Sequence, residues 1–120
     1  MSKLWTVLAA VNGFLSVAAG AFGAHGLKNR LAAPMLAHWE TAARYQMYHA
    51  LALLGVAALA HAKGPVANPA GWSFVAGIAL FSGSLYVLAL TGITKLGMVT
   101  PLGGLAMLAG WALVIRAAVA

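Results

Sequence analysis

The sequence has a single acidic side chain and no cysteine. Glu40 is the only carboxylate side chain among 120 residues, so one chain cannot supply a pair of catalytic carboxylates. The absence of cysteine excludes disulfides, thiolate metal ligands and cysteine nucleophiles. No Ser/His/Asp arrangement and no phosphate-binding glycine loop is visible either. The sequence therefore predicts a protein that is not an enzyme and carries no cofactor.

Charge of either sign is scarce. Charged residues make up 7% of the chain and hydrophobic residues 63%, with a mean hydropathy of +0.94. Because a soluble domain is typically about 25% charged, the predicted solvent is a lipid bilayer. The formal net charge is +6, but the basic residues stand singly between apolar runs. They form no continuous basic surface, so we expect membrane lipids and no nucleic acid as partners.

Four apolar segments are long enough to cross a bilayer, since about 20 helical residues cover its hydrocarbon thickness of about 30 Å. The predicted spans are residues 4–24, 43–62, 71–92 and 99–117. Short connections between them predict an all-α, antiparallel four-helix membrane bundle that forms one domain, residues 1–120. A short interfacial helix is expected to lead into the second span.

Local signals mark the ends of these helices. Pro69 and Pro101 suit the first turn of a helix, which makes Asn68 and Thr100 the expected capping residues. Trp5 is expected at a membrane interface as an aromatic anchor. The positive-inside rule does not orient the chain, because basic residues divide almost evenly between its two sides: Lys3, Lys63 and Arg116 against Lys28, Arg30, Arg44 and Lys95.

Small residues recur four positions apart in three of the spans. Such pairs let helices approach closely, either inside one bundle or between copies. Four thin helices bury little surface, so we also expect a homo-oligomer or a membrane-protein partner. The pairs are Ser16/Gly20, Ala19/Gly23, Ser73/Gly77, Ala79/Gly83 and Ala106/Gly110.

The densest group of polar side chains lies between residues 40 and 49. At about 100° per residue, Glu40, Arg44 and Tyr48 share one helix face, and Tyr45 and His49 share another. An ion pair from Glu40 to Arg44 would have the favourable order along a helix. The group either marks the headgroup boundary or lines a polar site inside the bundle.

Four histidines raise the question of a metal or haem site. A metal needs several converging donors, and the sequence contains no tight His-x-x-x-His pair. His25 and His49 are the weak candidates, because they could meet across the bundle. We therefore predict no metal site.

Four blocks of sequence resemble a known family. They are GAFGAHGL (20–27), TAARYQMYHA (41–50), LFSGSLY (80–86) and TPLGG (100–104). In this order they are similar to the domain-of-unknown-function family four-two-three, which includes bacterial YgdD-like inner-membrane proteins and a eukaryotic transmembrane relative. The resemblance implies a small four-helix protein, placed in the inner membrane if the source is bacterial. It brings no activity to transfer.

The resemblance also marks candidate positions for a shared site. With Glu40, the candidate residues are His25, Arg44, Tyr45, Tyr48, His49, Ser82, Ser84 and Tyr86. Three hypotheses follow. The first is a non-enzymatic protein that is oligomeric or binds a membrane partner; the second is a pathway for an ion, proton or small polar solute, lined by Glu40, Arg44, Tyr48 and His49. The third is a histidine-based metal or haem protein.

Overall fold

The computed structural model describes all residues, 1–120, and is almost entirely helical, with no strand. Two short 3₁₀ turns, Gly64–Ala67 and Thr94–Met98, connect helices, and a π-helical turn, Ile78–Ser82, joins α3 to α4. The prediction of an all-α fold is confirmed. The helices are α1 (Ser2–His25), α2 (Ala33–Lys63), α3 (Asn68–Gly77), α4 (Gly83–Thr91) and α5 (Thr100–Val119).

Three segments are apolar and long enough to cross a membrane: Ser2–His25, Ala33–Thr91 and Thr94–Val119. The middle segment has 59 residues and would be about 88 Å long as a straight helix. The longest dimension of the Cα trace is only 48 Å, so this segment folds back on itself. It turns at Gly64, where φ is +78°, a conformation that glycine adopts without a side-chain clash.

The expected interfacial helix does not exist as a separate element. α2 is one continuous helix of 31 residues, with Pro34 in its first turn. No glycine or proline lies between Met35 and Arg44, so nothing interrupts its hydrogen bonds before the apolar run begins. The residues expected in a surface helix are therefore the first turns of α2.

The helices pack in pairs. α1 packs mainly on α2, α5 packs mainly on α3 and the π-helical turn, and α2 also contacts α4. The Cα trace measures 48 × 26 × 16 Å, so the molecule is flattened rather than square in cross-section. α2 therefore contacts α1 on one side and α4 and α5 on the other.

The largest core cluster lies where α1, α2 and α3 meet. Trp5 is fully buried there and donates a hydrogen bond from Nε1 to Oδ1 of Asn68 at 3.0 Å. Trp5 is therefore a core residue and not a lipid-facing anchor. Asn68 bonds to this indole and makes no side-chain cap on α3, so its predicted role is wrong. The cluster comprises Trp5, Ala9, Leu53, Val56, Ala57, Ala67, Ala70, Phe74, Ile78 and Met107.

Three of the five small-residue pairs contribute a glycine to internal contacts. Added Cβ atoms would meet Trp39 at Gly23, Met107 at Gly77 and Phe74 at Gly110. In contrast, Gly20 and Gly83 have nothing within 4 Å of an added Cβ. Internal packing is therefore confirmed for the glycines of three pairs, and Ser16 of a fourth pair also makes an internal contact. Self-association through Ala79 and Gly83 stays a prediction.

Candidate functional site

The faces of α2 divide as its helical period predicts. Glu40, Arg44 and Tyr48 are all exposed along one face, whereas Gln46 and His49 are buried. Side chains three or four positions apart lie on the same side of a helix, so the exposed face runs along the outside of the chain. The prediction of a shared face for Glu40, Arg44 and Tyr48 is confirmed, but it faces outward.

Side-chain hydrogen bonds join α1 to α2. Ser16 Oγ donates to the Ala43 carbonyl oxygen at 2.6 Å, and Gln46 Nε2 donates to Asn12 Oδ1 at 3.1 Å. Trp39 Nε1 also donates to the backbone of α1, with a distance of 2.7 Å to the Ala19 oxygen. Residues 12–19 of α1 are therefore held to α2 by directional contacts.

The same group of polar side chains continues from α2 to the π-helical turn and α4. Tyr86 donates from its hydroxyl to Gln46 Oε1 at 2.7 Å, and Ser82 Oγ donates to the Ala42 oxygen at 2.8 Å. We call Asn12, Ser16, Gln46, Ser82 and Tyr86 the polar layer. No buried side-chain nitrogen or oxygen in the chain lacks a hydrogen-bond partner, so the polar layer is closed.

Ser84 belongs to a separate contact between α4 and α5. Its Oγ donates to the Phe81 carbonyl oxygen at 3.0 Å and lies 2.6 Å from Thr100 Oγ1. Because Ser84 has one hydroxyl hydrogen, Thr100 is the donor of the second bond. Thr100 makes no side-chain cap on α5, so its predicted capping role is wrong as well.

His49 uses both ring nitrogens inside the chain. Nδ1 lies 2.8 Å from the Tyr45 carbonyl oxygen, which can only accept, so we assign the ring hydrogen to Nδ1. Nε2 then accepts a hydrogen bond from Trp111 Nε1 at 3.2 Å. A metal ion or a second ring proton at Nε2 would displace this indole donor. His49 is therefore a satisfied histidine that joins α2 to α5.

His25 does not meet His49. The bond between Trp39 and Ala19 sets the register of α1 against α2, and His25 and His49 lie 6 and 10 residues from it in opposite directions. Their axial separation is therefore about 24 Å at 1.5 Å per residue. His25 is exposed, and no group of three or more His, Cys, Asp or Glu side chains converges in the chain.

An aromatic cleft opens between α2 and α5 beside His49. Its volume is about 730 Å³. Tyr45 packs on Phe81 with ring centroids 4.7 Å apart and on Tyr48 at 5.4 Å, while His49 and Trp111 lie at 5.9 Å. The cleft is lined by Tyr45, Tyr48, His49, Phe81, Pro101, Gly104, Leu105, Met107, Leu108 and Trp111.

Sequence reasoning missed several residues that hold this region together. Asn12, Gln46 and Trp111 supply side chains to the contacts between helices, yet none was a candidate. The signal was present, because Asn12 and Gln46 are the amide side chains inside the first two apolar runs. Ionisable groups in a membrane segment indicate function, whereas neutral amides are cheaper to bury and pair well with each other, so they serve to join helices.

Comparison with known proteins places the chain in a family. The family model described as protein of unknown function (DUF423) matches residues 19–104, a range that contains all four blocks of the predicted resemblance. The chain belongs to the DUF423 family. No solved structure matches this DUF423 protein.

Curated relatives are similar over nearly their whole length. The UPF0382 membrane protein YwdK of Bacillus subtilis is 47% identical over 119 residues, covering 98% of this chain and 97% of its own. A UPF0382 membrane protein of Staphylococcus saprophyticus is 45% identical, and the match covers 94% of this chain and 94% of its own. One of Staphylococcus aureus is 47% identical, and the match covers 96% of this chain and 94% of its own. Together with the three apolar segments, these names make the DUF423 protein a multi-pass membrane protein.

Proposed function

We propose that this DUF423 protein is a non-enzymatic membrane protein that acts by association within the bilayer, as a homo-oligomer or as an accessory subunit of a membrane partner. The observation that carries the proposal is the closed polar layer: every buried polar side-chain atom is bonded within the chain. A catalytic site or a polar pathway needs groups that are free to bind a substrate or water. The polar layer offers none, and its bonds instead fix one helix against another.

We propose that the protein crosses the membrane four times, with neighbouring spans antiparallel. Its support is the return of the 59-residue apolar segment at Gly64, which makes two arms from one run. Along these arms, Tyr45 packs on Phe81 and His49 packs on Phe74, at 4.7 and 5.5 Å, so the sequence numbers run in opposite directions. Each arm is long enough to cross the hydrocarbon core of a bilayer.

The absence of native cysteine makes this topology directly testable. Single cysteines replace Lys3, Lys63 or Arg116 in one set and Arg30 or Lys95 in the other. In sealed vesicles of one orientation, a membrane-impermeant thiol reagent should label only one set. Labelling that divides either set between the two sides would contradict four spans. The unchanged, cysteine-free protein is the control for background labelling.

Subunit counting tests the proposed association. Native mass spectrometry directly from membranes should show the chain in a complex, with copies of itself or with another membrane protein. Chemical crosslinking in the membrane before extraction controls for loss of subunits in detergent. A single copy without a protein partner in both experiments would overturn the proposal.

A polar pathway is the weaker alternative. Its only structural support is that buried polar groups occur at matching depths in α1, α2 and α4, in the polar layer. Three of its predicted lining residues, Glu40, Arg44 and Tyr48, are on the exposed face, whereas His49 is buried. We therefore expect liposomes containing the protein to pass chloride and protons no faster than empty liposomes. Flux that is lost on substitution of Gln46 would favour the pathway instead.

A metal or haem function has less support still. His49 has no free ring nitrogen and His25 lies several turns away. We expect the purified protein to be colourless and free of stoichiometric metal by elemental analysis. One metal per chain that disappears in the His49→Phe variant would restore this hypothesis.

A further inference from the structure

A continuous groove runs along the outside of α2 and α5. The aromatic cleft is followed by a second cavity of about 460 Å³, and the two share Tyr48 and Trp111 in their walls. Together they extend from Tyr45 to Leu59 on α2, which is about 21 Å at 1.5 Å per residue. The second cavity is lined by Tyr48, Leu51, Ala52, Gly55, Leu59, Trp111 and Val114.

The dimensions and walls of the groove suit one hydrocarbon chain. One leaflet of a bilayer contributes about 15 Å of the hydrocarbon thickness, so the groove is long enough for the acyl chain of a single lipid. Its walls are aliphatic and aromatic over most of this length, and the ring nitrogens of His49 are occupied inside the protein. An occupant therefore needs no polar groups along its length.

Polar groups occur towards one end of the groove. Tyr45 and Tyr48 are 36% and 50% exposed, and neither hydroxyl takes part in a hydrogen bond of the chain, unlike Tyr86. Arg44 directly precedes Tyr45, lies one turn before Tyr48 and is exposed. Pro101 lines the same end, so this end lies level with the start of α5. This end of the groove therefore offers one cation and two free phenol hydroxyls to a polar group.

Charge indicates the class of lipid. The formal net charge is +6, and Glu40, one turn before Arg44, is the single acidic side chain. A second copy of this chain would bring the same positive excess to the groove. An anionic phospholipid would bring a phosphate for Arg44 and oxygen acceptors for the two phenols. We propose that the α2/α5 groove binds one acyl chain of an anionic phospholipid, with the headgroup phosphate at Arg44.

This site goes beyond the proposed function and does not depend on it. A monomeric chain would still have the groove, and an oligomer without bound lipid would still have the closed polar layer. The two proposals therefore fail in different measurements, subunit number for one and lipid number for the other.

Lipid titration followed by native mass spectrometry tests the site. The probes are phosphatidylglycerol, which is anionic, and phosphatidylcholine with the same acyl chains, which is zwitterionic. We expect one phosphatidylglycerol per chain, bound about tenfold more tightly than phosphatidylcholine. Both lipids offer a phosphate to Arg44, but the quaternary ammonium of phosphatidylcholine is repelled by its charge. Arg44→Gln should abolish this preference, whereas Arg30→Gln, an exposed change in the loop before α2, should keep it.

Filling the groove tests its location. Gly55 lines the second cavity, and an added Cβ there meets nothing within 4 Å, so a side chain can start at this position and Gly55→Phe should place its ring in the groove. Gly20→Phe is the matched control, because Gly20 lies on α1 and also has open space. We expect Gly55→Phe to lose at least tenfold in affinity for both lipids and Gly20→Phe to bind as the unchanged protein does.

A second filling variant keeps the test decisive if Gly55→Phe does not fold. Gly104 lines the aromatic cleft, and its added Cβ would meet Phe81 at an ordinary 3.9 Å. Gly104→Leu should therefore have the same effect on lipid binding as Gly55→Phe. Unchanged lipid binding in a folded filling variant would overturn the proposal, as would a phosphatidylglycerol preference that survives Arg44→Gln. A filling variant that changes the subunit count but not lipid binding would assign the groove to a second copy, which also overturns it.

Discussion

The two sides of α2 are built differently. On the α1 side, Ser16, Trp39 and Gln46 each donate a hydrogen bond across the contact. On the α5 side, one bond between Trp111 and His49 crosses beside a cavity of about 730 Å³, and the exposed Lys63 Nζ donates to the Ala120 oxygen at the end of α5. In a bilayer, apolar side chains gain little by leaving lipid, so hydrogen bonds and close contact determine how tightly helices associate. Three hydrogen bonds therefore hold α1 to α2, although an apolar cavity of about 570 Å³ also opens between these two helices. On the α5 side, the larger cavity is lined by aromatic side chains and by the ring of His49.

This difference also explains why the α5 side stays attached. Beyond the groove, α5 approaches the π-helical turn so closely that a Cβ on Gly103 would collide with the backbone of Phe81. Gly77 provides a second close approach, against Met107. Backbone contact at one edge of α5 therefore holds the helix, while its other edge leaves the groove open.

The largest expected effect comes from breaking this backbone contact. Gly103→Ala should destabilise the protein by about 3 kcal/mol, because the obstructing atoms belong to the backbone and cannot rotate away. Reversible unfolding in mixed detergent micelles measures the change. Gly104→Ala is the control in the next position and should change stability by less than about 0.5 kcal/mol. Equal stability of the two variants would show that α5 is held in another way.

Substitution of Gln46, at the centre of the polar layer, should cause the second-largest loss of stability. Gln46→Leu should cost about 2 kcal/mol, because Asn12 and Tyr86 each lose a partner inside the membrane, where such bonds average about 0.6 and reach about 1.7 kcal/mol. The same unfolding measurement applies. Asn29→Leu, an exposed amide in a loop, is the control and should be nearly neutral. A neutral Gln46→Leu would mean that the polar layer does not hold α1 and α4 to α2.

The buried bond between Trp111 and His49 should contribute less to stability. Trp111→Phe keeps an aromatic ring in the groove wall but removes the donor to His49, so we expect a loss of about 1 kcal/mol. Trp72→Phe is the matched control, since Trp72 is half exposed and donates no hydrogen bond within the chain. If the two substitutions lower the free energy of unfolding equally, the bond between Trp111 and His49 makes no measurable contribution to stability.

Arg44→Gln should have the smallest effect on stability. Its side chain is exposed on the outer face, so we expect a change of less than about 0.5 kcal/mol. The lipid preference of the groove should nevertheless disappear. A large loss of stability would instead make Arg44 a structural residue, which would remove the contrast between the two sides of α2.

The positions of the helices could be predicted from the sequence, but most of their contacts could not. Apolar runs and first-turn prolines predict where helices lie, because both depend on local chemistry. Asn68 and Thr100 show the limit of local signals. Both stand where an N-cap is expected, yet each bonds to a neighbouring helix, to Trp5 and Ser84 respectively. Their partners are 63 and 16 residues away in the chain, beyond any local pattern.

For the candidate site, too, the local pattern predicts the faces of one helix but not its contacts with others. The period of α2 correctly separates the exposed Glu40 and Arg44 from the buried His49. It cannot reveal that Trp111 occupies Nε2 of His49, or that Gln46 bridges two other helices. Nor does the pattern predict the π-helical turn that brings Phe81 against α5. These features depend on how several helices pack together, and the helical period of α2 alone does not specify this.

Thiol accessibility tests the central claim, that the polar layer is a closed structural contact, most directly. Ser16→Cys and Ser82→Cys introduce single thiols at two of its most buried positions, 4% and 1% exposed, in a chain without other cysteines. In intact membranes, both should resist a water-soluble thiol reagent under conditions that fully label Arg30→Cys in the exposed loop. Labelling of either at the rate of Arg30→Cys would mean that water reaches the polar layer, and would contradict the account.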